Sequence, residues 1–192
     1  VENGVDVAFF APDPARASPY PDDAPVAVFT GAMDYWANVD AVNWFAHAVW
    51  PRVRAAVPGA AFYIVGARPG PVVRQLAGLP GVVVTGRVPD VRPYLQHARV
   101  AVAPLRIARG VQNKLLEALA MGLPVVATPA ACAGLGHAAP PRASATADPA
   151  GFAAQVGAAL AGARVESGRD YVRANHRWSH NLARLAALLE AA

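Results

Sequence analysis

Apolar positions along the chain alternate between short continuous runs and longer stretches with a helical period. Val26–Thr30, Ala60–Val65, Val82–Thr85, Val100–Ala103 and Val125–Thr128 are brief and rich in β-branched residues, and the first four stop at Gly31, Gly66, Gly86 and Pro104. Runs of this length without alternation read as strands buried on both faces. Between them, Asn38 to Val57 places Val39, Val42, Phe45, Ala46 and Val49 on one side of a helix, with Pro51 kinking it or starting a new turn. Pro71–Ala77 reads as a short helix, and Asp90 is placed to cap another running through His97. Val111 to Met121 predicts a helix stopped by Gly122. Asp148–Ala161 and Ser167–Ala191 are helical, the second broken near Asn175–Trp178, and a loose Ala/Pro-rich stretch precedes them.

Strands alternating with helices predict an α/β, doubly wound parallel sheet, Rossmann-like, with helices on both faces and a C-terminal helical tail. The first 25 residues carry Pro12, Pro14, Pro19, Pro21 and Pro25 and read as an extended lead-in. The organisation expected is a lead-in over 1–25, one Rossmann-like domain over 26–165 and closing helices over 166–192. If the strand order is 3-2-1-4-5, the switch in direction lies between strands one and four. The loops Gly31–Asn38 and Pro104–Val111 then face each other where such sheets take their ligands.

Composition narrows the function classes. The chain has 192 residues, 55% hydrophobic and 16% charged, which suits a packed domain and not a disordered one. Its single cysteine, Cys132, cannot form an internal disulfide, and no Cys/His spacing resembles a zinc site. No uncharged apolar run reaches the ~20 residues that cross a bilayer. Val1–Asp6 lacks the basic and apolar regions of a signal peptide. A start at Val1 is expected of a piece of a longer protein. The net charge of +4 permits an anionic partner. The arginines are spread thinly, however, and neither an aromatic–basic platform nor a helix-turn-helix pattern is present, so no nucleic-acid partner is expected.

The segment Arg106 to Glu117 carries the most chemistry. Gly110 permits close backbone approach, and a helix opening at Val111 presents free amides and a positive dipole end to a phosphate. Lys114 in its first turn adds a full charge, and Glu117, three residues on, projects from the same face. A carboxylate there can accept hydrogen bonds from both hydroxyls of a ribose. The competing reading is an ordinary surface Lys–Glu pair. Lys114 is the only lysine in a chain that otherwise uses arginine, which favours the functional reading.

Asn113-Lys114-Leu115-Leu116-Glu117-Ala118-Leu119-Ala120-Met121-Gly122-Leu123-Pro124-Val125-Val126-Ala127-Thr128 resembles the donor-site signature of the group-1 glycosyltransferases, retaining enzymes of the GT-B fold. Asn3-Gly4-Val5-Asp6 resembles the start of their C-terminal domain. Phe29 to Asp40 resembles the first strand and loop of a subgroup that makes bacterial exopolysaccharides, and Tyr171 to Leu189 the family's closing helices.

The resemblance implies transfer of a sugar from a nucleoside-diphosphate sugar, of UDP or GDP type, to a glycan or lipid-linked acceptor. This chain would be the donor-binding half, inactive alone, and an N-terminal acceptor-binding domain its missing partner. It implies no metal, since no Asp-x-Asp is present, and cytoplasmic work, extending to peripheral association with the inner face of the inner membrane in the whole enzyme. Carried over by position, Glu117 binds the ribose, while Gly110, Val111, Gln112, Asn113 and Lys114 hold the diphosphate. Arg87, Val88 and Asp90 line the base pocket, and Gly31 lets the first loop approach the phosphates.

Two departures stand out. Many members carry a glutamate eight residues before the ribose-binding one, and Arg109 occupies that position. Many also carry Arg and Lys after the first strand, and Gly31–Asn38 has neither. Lys114, Arg106 or Arg109 is expected to supply that charge, so Lys114, Glu117 and Arg109 are the catalytic candidates and Arg106 joins the donor-binding set.

Other residues favour plainer readings. Asp34 and Asn38 suit helix capping better than ligand contact, and His137 a solvated loop. His47 is read as structural, Trp36, Trp44 and Trp50 as packing, Cys132 as buried, and Arg52 and Arg54 as a solvated face. No Gly-x-Gly-x-x-Gly follows Gly66, which argues against NAD. A sugar-nucleotide epimerase, a non-catalytic nucleotide-binding module and an unrelated α/β interaction domain remain as alternatives.

Overall fold

The computed structural model describes residues 3–21, 24–135, 143–162, 167–178, 181, 182 and 186. Its centre is β1 (Val26–Thr30), buried at every position and flanked by β2 (Ala61–Val65) and β4 (Val100–Ala103). β3 (Val82–Gly86), β5 (Val125–Ala127) and β6 (Ala143–Ala145) complete a parallel sheet in the order β3-β2-β1-β4-β5-β6. The doubly wound arrangement and the switch between β1 and β4 are as the strand pattern predicts. β6 lies within the Ala/Pro-rich stretch that reads as loose, where three residues are too few to show a period.

α1 (Trp36–Trp44), α2 (Trp50–Ala56) and α3 (Pro71–Gln75) share one face. There they are joined by α7 (Pro149–Ala161), whose N-cap Asp148 accepts a hydrogen bond from Gly151 N at 2.6 Å. The other face holds α4 (Arg92–His97) and α5 (Asn113–Ala120), with α8 (Ser167–Asn175) packed on α5. α6 (Pro129–Cys132) is a single turn after β5.

Three details differ from the sequence pattern, each for a local reason. The long helix expected over Asn38–Val57 is divided by a π-helical turn, Phe45–Val49. The wider turn falls where Pro51, having no N–H, cannot serve the carbonyls behind it. Thr128 leaves the strand to cap α6, its hydroxyl accepting from Ala131 N at 3.3 Å and donating to the Leu105 carbonyl. α5 opens at Asn113, not Val111, because Val111 and Gln112 complete the preceding loop, Gln112 being extended at φ −89° and ψ 108°. α8 stops at Asn175, where the sequence pattern places a break, and much of the helix expected beyond it lies outside the described residues.

Phe45, Phe62, Trp50 and Phe152 form an aromatic cluster under the π turn, with Phe45 and Phe62 ring centres 4.6 Å apart. Each such side chain contributes roughly 1.5–3 kcal/mol by leaving water. The Trp50 indole nitrogen donates to the Pro80 carbonyl at 3.0 Å, which satisfies the polar atom of a buried ring.

The lead-in runs along α4. Asp13 and Gln96 exchange hydrogen bonds at 3.0 and 2.7 Å, and the Tyr20 hydroxyl donates to the Tyr94 carbonyl at 2.7 Å. Further back, Val5 N donates to the His176 carbonyl at 2.8 Å.

Candidate functional site

At the carboxyl ends of β1 and β2 the chain makes two turns that nest. Gly31 N donates to the Val65 carbonyl at 3.1 Å and Met33 N to the Ala67 carbonyl at 2.8 Å. The Gly31 carbonyl lies so near Gly66 that a Cβ there would stand 1.6 Å from the oxygen. Only glycine fits at 66, which ties its identity to loop packing and not to a dinucleotide.

This nested pair forms one wall of a cleft of about 590 Å³ above the switch point. Arg87, Val88 and Val91, after β3, close one end, and α5 forms the opposite wall through Asn113, Lys114 and Glu117. Leu115 N donates to the Gln112 carbonyl at 3.0 Å, and the amides of Asn113 and Lys114 before it, at the start of α5, have no partner within their own helix.

Lys114 is half-buried. Its Nζ donates to Asn38 Oδ1 at 2.5 Å and stands 4.3 Å from the centre of the Phe29 ring. Burial lowers its pKa to about 8, against a smaller opposing pull from Glu117. Asn38 is buried in turn, and its amide nitrogen donates to the Ala32 carbonyl at 2.9 Å. The Glu117 carboxyl has its pKa raised by burial, which Lys114 partly offsets. No ion pair closer than 4 Å joins it to Lys114 among the described residues. Both groups are therefore half-buried at the cleft with no close ion pair between them, an arrangement typical of ligand sites.

The cleft also contains Arg68, which the sequence pattern does not single out. It follows the β2 turn at φ 57°, the only non-glycine residue with positive φ among the described residues. Its guanidinium forks onto Asp34, with Nε 2.5 Å from Oδ2 and Nη2 3.2 Å from Oδ1. Arg68, Arg87 and Lys114 give the cleft three basic side chains against the one carboxylate of Glu117.

Residues 24–161 match the family model described as glycosyl transferases group 1. The chain belongs to the group 1 glycosyltransferases.

Solved glycosyltransferase structures share the fold. Anabaena Alr3699/HepE in complex with UDP and glucose superposes with a TM-score of 0.71 at 14% identity, over 98% of this chain and 56% of that one. Sucrose-phosphate synthase from Thermosynechococcus elongatus gives 0.65 at 22% identity, over 98% and 52%. The pneumococcal O-GlcNAc transferase GtfA, in complex with UDP and GlcNAc, gives 0.65 at 14% identity, over 87% and 35%. The chain thus spans about half the length of HepE and of the synthase. No curated protein sequence matches it.

Of the residues expected at the site, Gly31, Arg87, Val88, Val111, Asn113, Lys114 and Glu117 line the cleft together. Asp90, Arg106, Arg109, Gly110 and Gln112 are not part of its lining. Asp90 accepts from Arg92 N at 2.9 Å and pairs with the Arg92 guanidinium, which lies 3.9 Å from the Phe9 ring centre. Arg106 is forked onto Asp40 of α1, so its charge is engaged away from the cleft. Arg109 is exposed on the loop before α5. Gln112 braces that loop, its amide donating to the Arg109 and Gly110 carbonyls at 3.1 and 3.3 Å, while Gly110 turns at φ 65°.

Among the remaining candidates, Asp34 and Asn38 do not cap α1, whose N-cap Tyr35 makes no side-chain bond. They hold Arg68 and Lys114 instead. Trp36 is 56% exposed beside Tyr35, so it does not pack as its apolarity predicts, whereas Trp50 does. Arg54 is half-buried and donates to the Ala60 carbonyl at 3.1 Å, which removes it from the solvated face expected for it. Burial pushes the Cys132 thiol up, away from nucleophilic use. His137 lies outside the described residues. No metal-binding cluster of His, Cys, Asp or Glu occurs among the described residues, and no helix among them is long and apolar enough to cross a membrane.

Proposed function

We propose that this chain is the donor-binding half of a hexosyltransferase that moves a sugar from a UDP or GDP sugar to a glycan or lipid-linked acceptor. An N-terminal half supplies the acceptor site, so the chain alone binds donor without transferring it. The observation that carries this proposal is the placement of Lys114 and Glu117 one turn apart on α5, both lining the cleft with no close ion pair between them.

In this scheme Glu117 accepts hydrogen bonds from the ribose hydroxyls, and Lys114, Val111, Asn113 and the α5 amides face the diphosphate. Arg87 and Val88 frame the base, and Gly31 brings backbone close to the phosphates. As the glycosidic bond to the donor breaks, negative charge grows on the departing diphosphate, where Lys114 and the helix end stabilise it without a metal. Transfer with retention, exopolysaccharide synthesis and work at the cytoplasmic face of the inner membrane are the finer parts of the same proposal, supported by the signature around Glu117 and the Phe29–Asp40 segment.

Thermal unfolding with UDP, GDP, ADP and NAD at about 100 times the dissociation constant tests the donor site. One diphosphate should raise the midpoint by several degrees, through about 2.7 kcal/mol of binding, and the shift should vanish in Glu117→Ala. No shift with any of them in wild type would overturn the assignment. The exposed arginine at 109, in place of an acid, favours one second reading, a non-catalytic nucleotide-binding module. A reconstituted full-length protein that binds a donor but never turns it over would establish that module.

A further inference from the structure

The loop after β1, Gly31–Asn38, contains no lysine or arginine, yet one basic fork stands beside it at the mouth of the cleft. It is Arg68, delivered from the loop after β2. The backbone bonds Gly31 N to Val65 O, Met33 N to Ala67 O and Gly66 N to Gly86 O hold the neighbouring turns in register. They present Arg68 at φ 57°, a conformation that an arginine keeps only where the surrounding structure fixes it. From this backbone the planar guanidinium reaches Asp34 of the neighbouring loop.

That partner is easily released. The Arg68 and Asp34 side chains are 61% and 46% exposed, and a solvated pair of this kind contributes little to the fold. A guanidinium that forks onto two carboxylate oxygens presents the same two donors to two phosphate oxygens. Of the other basic residues named for this charge, Arg106 is paired with Asp40 outside the cleft, Arg109 is exposed on the loop before α5 and is not part of the lining, and Lys114, held by the neutral Asn38, is a point charge without a fork.

We propose that Arg68 is the side-chain fork for the diphosphate of the nucleotide and that Asp34 is its resting stand-in, displaced when the diphosphate enters. This rests on the donor-site assignment above and adds to it a residue that the helix signature does not contain. Asp34 then acts as a competitor for the phosphate-binding fork, and the two members of one ion pair have opposite effects on affinity.

Calorimetric titration of the 192-residue chain with UDP and GDP, and with uridine and guanosine, tests this on wild type, Arg68→Gly, Arg68→Lys and Asp34→Asn. Glycine accepts the positive φ, so Arg68→Gly should unfold at no lower temperature than wild type without ligand. It should bind the preferred diphosphate roughly five- to tenfold more weakly and leave the nucleoside unchanged. Arg68→Lys, keeping the charge but losing the fork, should fall between the two. Asp34→Asn should tighten the diphosphate by about two- to threefold. Unchanged diphosphate affinity in Arg68→Gly, an equal loss for the nucleoside, or weakening by both Arg68→Gly and Asp34→Asn would overturn the assignment of Arg68 alone. A wild-type chain that binds neither diphosphate would overturn the donor site itself.

Discussion

Lys114 and Asn38 meet across the switch point of the sheet: the ammonium on α5 donates to the amide oxygen on α1 at 2.5 Å. The same amide donates back to the Ala32 carbonyl of the β1 loop. Because Asn38 is buried and neutral, it orients the cation without cancelling it, and burial is left to set the pKa at about 8.

Diphosphate affinity should therefore decline as the pH rises through about 8, where Lys114 loses its proton. Titrations with UDP and GDP between about pH 6.5 and about pH 9.5 check this, since the charged form is the one that attracts phosphate. Asn38→Asp would set a carboxylate against the ammonium. It should move the alkaline midpoint upward and weaken binding at neutral pH, because the cation then has a permanent partner. A binding curve flat across this range would show that Lys114 does not meet the diphosphate.

The same shift has a consequence for the ligand-free fold. An unfolded lysine keeps its proton to about 10.5, so between about 8 and 10.5 the unfolded chain binds more protons than the native one. The Lys114 contribution should make stability rise with pH across that window, after subtraction of the curve for Lys114→Met. Glu117 has the opposite sign. Its native pKa lies above the unfolded value, so its contribution is present below about 4.5 and is lost as pH rises through the raised native value.

Glu117→Gln removes a carboxylate that burial disfavours and keeps its shape. The variant should be at least as stable as wild type near neutral pH, yet bind the preferred diphosphate about tenfold more weakly. Against a 2′,3′-dideoxy analogue of that nucleotide the two proteins should be equal. Equal losses for both nucleotides would detach Glu117 from the ribose.

Gly66→Ala tests the nested loops. A methyl group 1.6 Å from the Gly31 carbonyl cannot be accommodated without separating the two turns. Destabilisation of about 3 kcal/mol is expected, seen as a fall in the unfolding midpoint of about 6 °C or more. A midpoint within a degree of wild type would show that the turns part freely.

Arg106→Ala separates proximity in sequence from proximity in space. Its guanidinium is engaged with Asp40, so diphosphate affinity in the variant should stay within about twofold of wild type. A tenfold loss would return Arg106 to the donor site.

What could be read from the residues, and what could not, divides along physical lines. β1, β2 and β4 announce themselves because a strand buried on both faces must be apolar throughout and must stop at a turn. Lys114 and Glu117 are legible because both sit on one short helix, where spacing fixes direction. Arg68 is not, since sequence gives no reason to expect an arginine at positive φ, and its partner Asp34 is brought to it by a neighbouring strand. Arg106 misleads for the matching reason: Asp40 lies 66 residues away in the chain, and only the fold shows that its charge is taken. The start of α5 shifts by two residues because Gln112 spends its side chain on the loop carbonyls, which the apolar period of the helix does not record.

One consequence of the lone lysine reaches past nucleotide binding. Every other strongly basic side chain is an arginine, so the molecule carries one side-chain primary amine, and it lines the cleft with its pKa lowered to about 8. A mild acylating reagent near that pH has a single side-chain amine to modify. The extent of labelling at Lys114 itself, read by peptide mapping apart from the α-amine, becomes a count of open donor sites, and protection by a bound nucleotide a measure of occupancy that needs neither acceptor nor turnover.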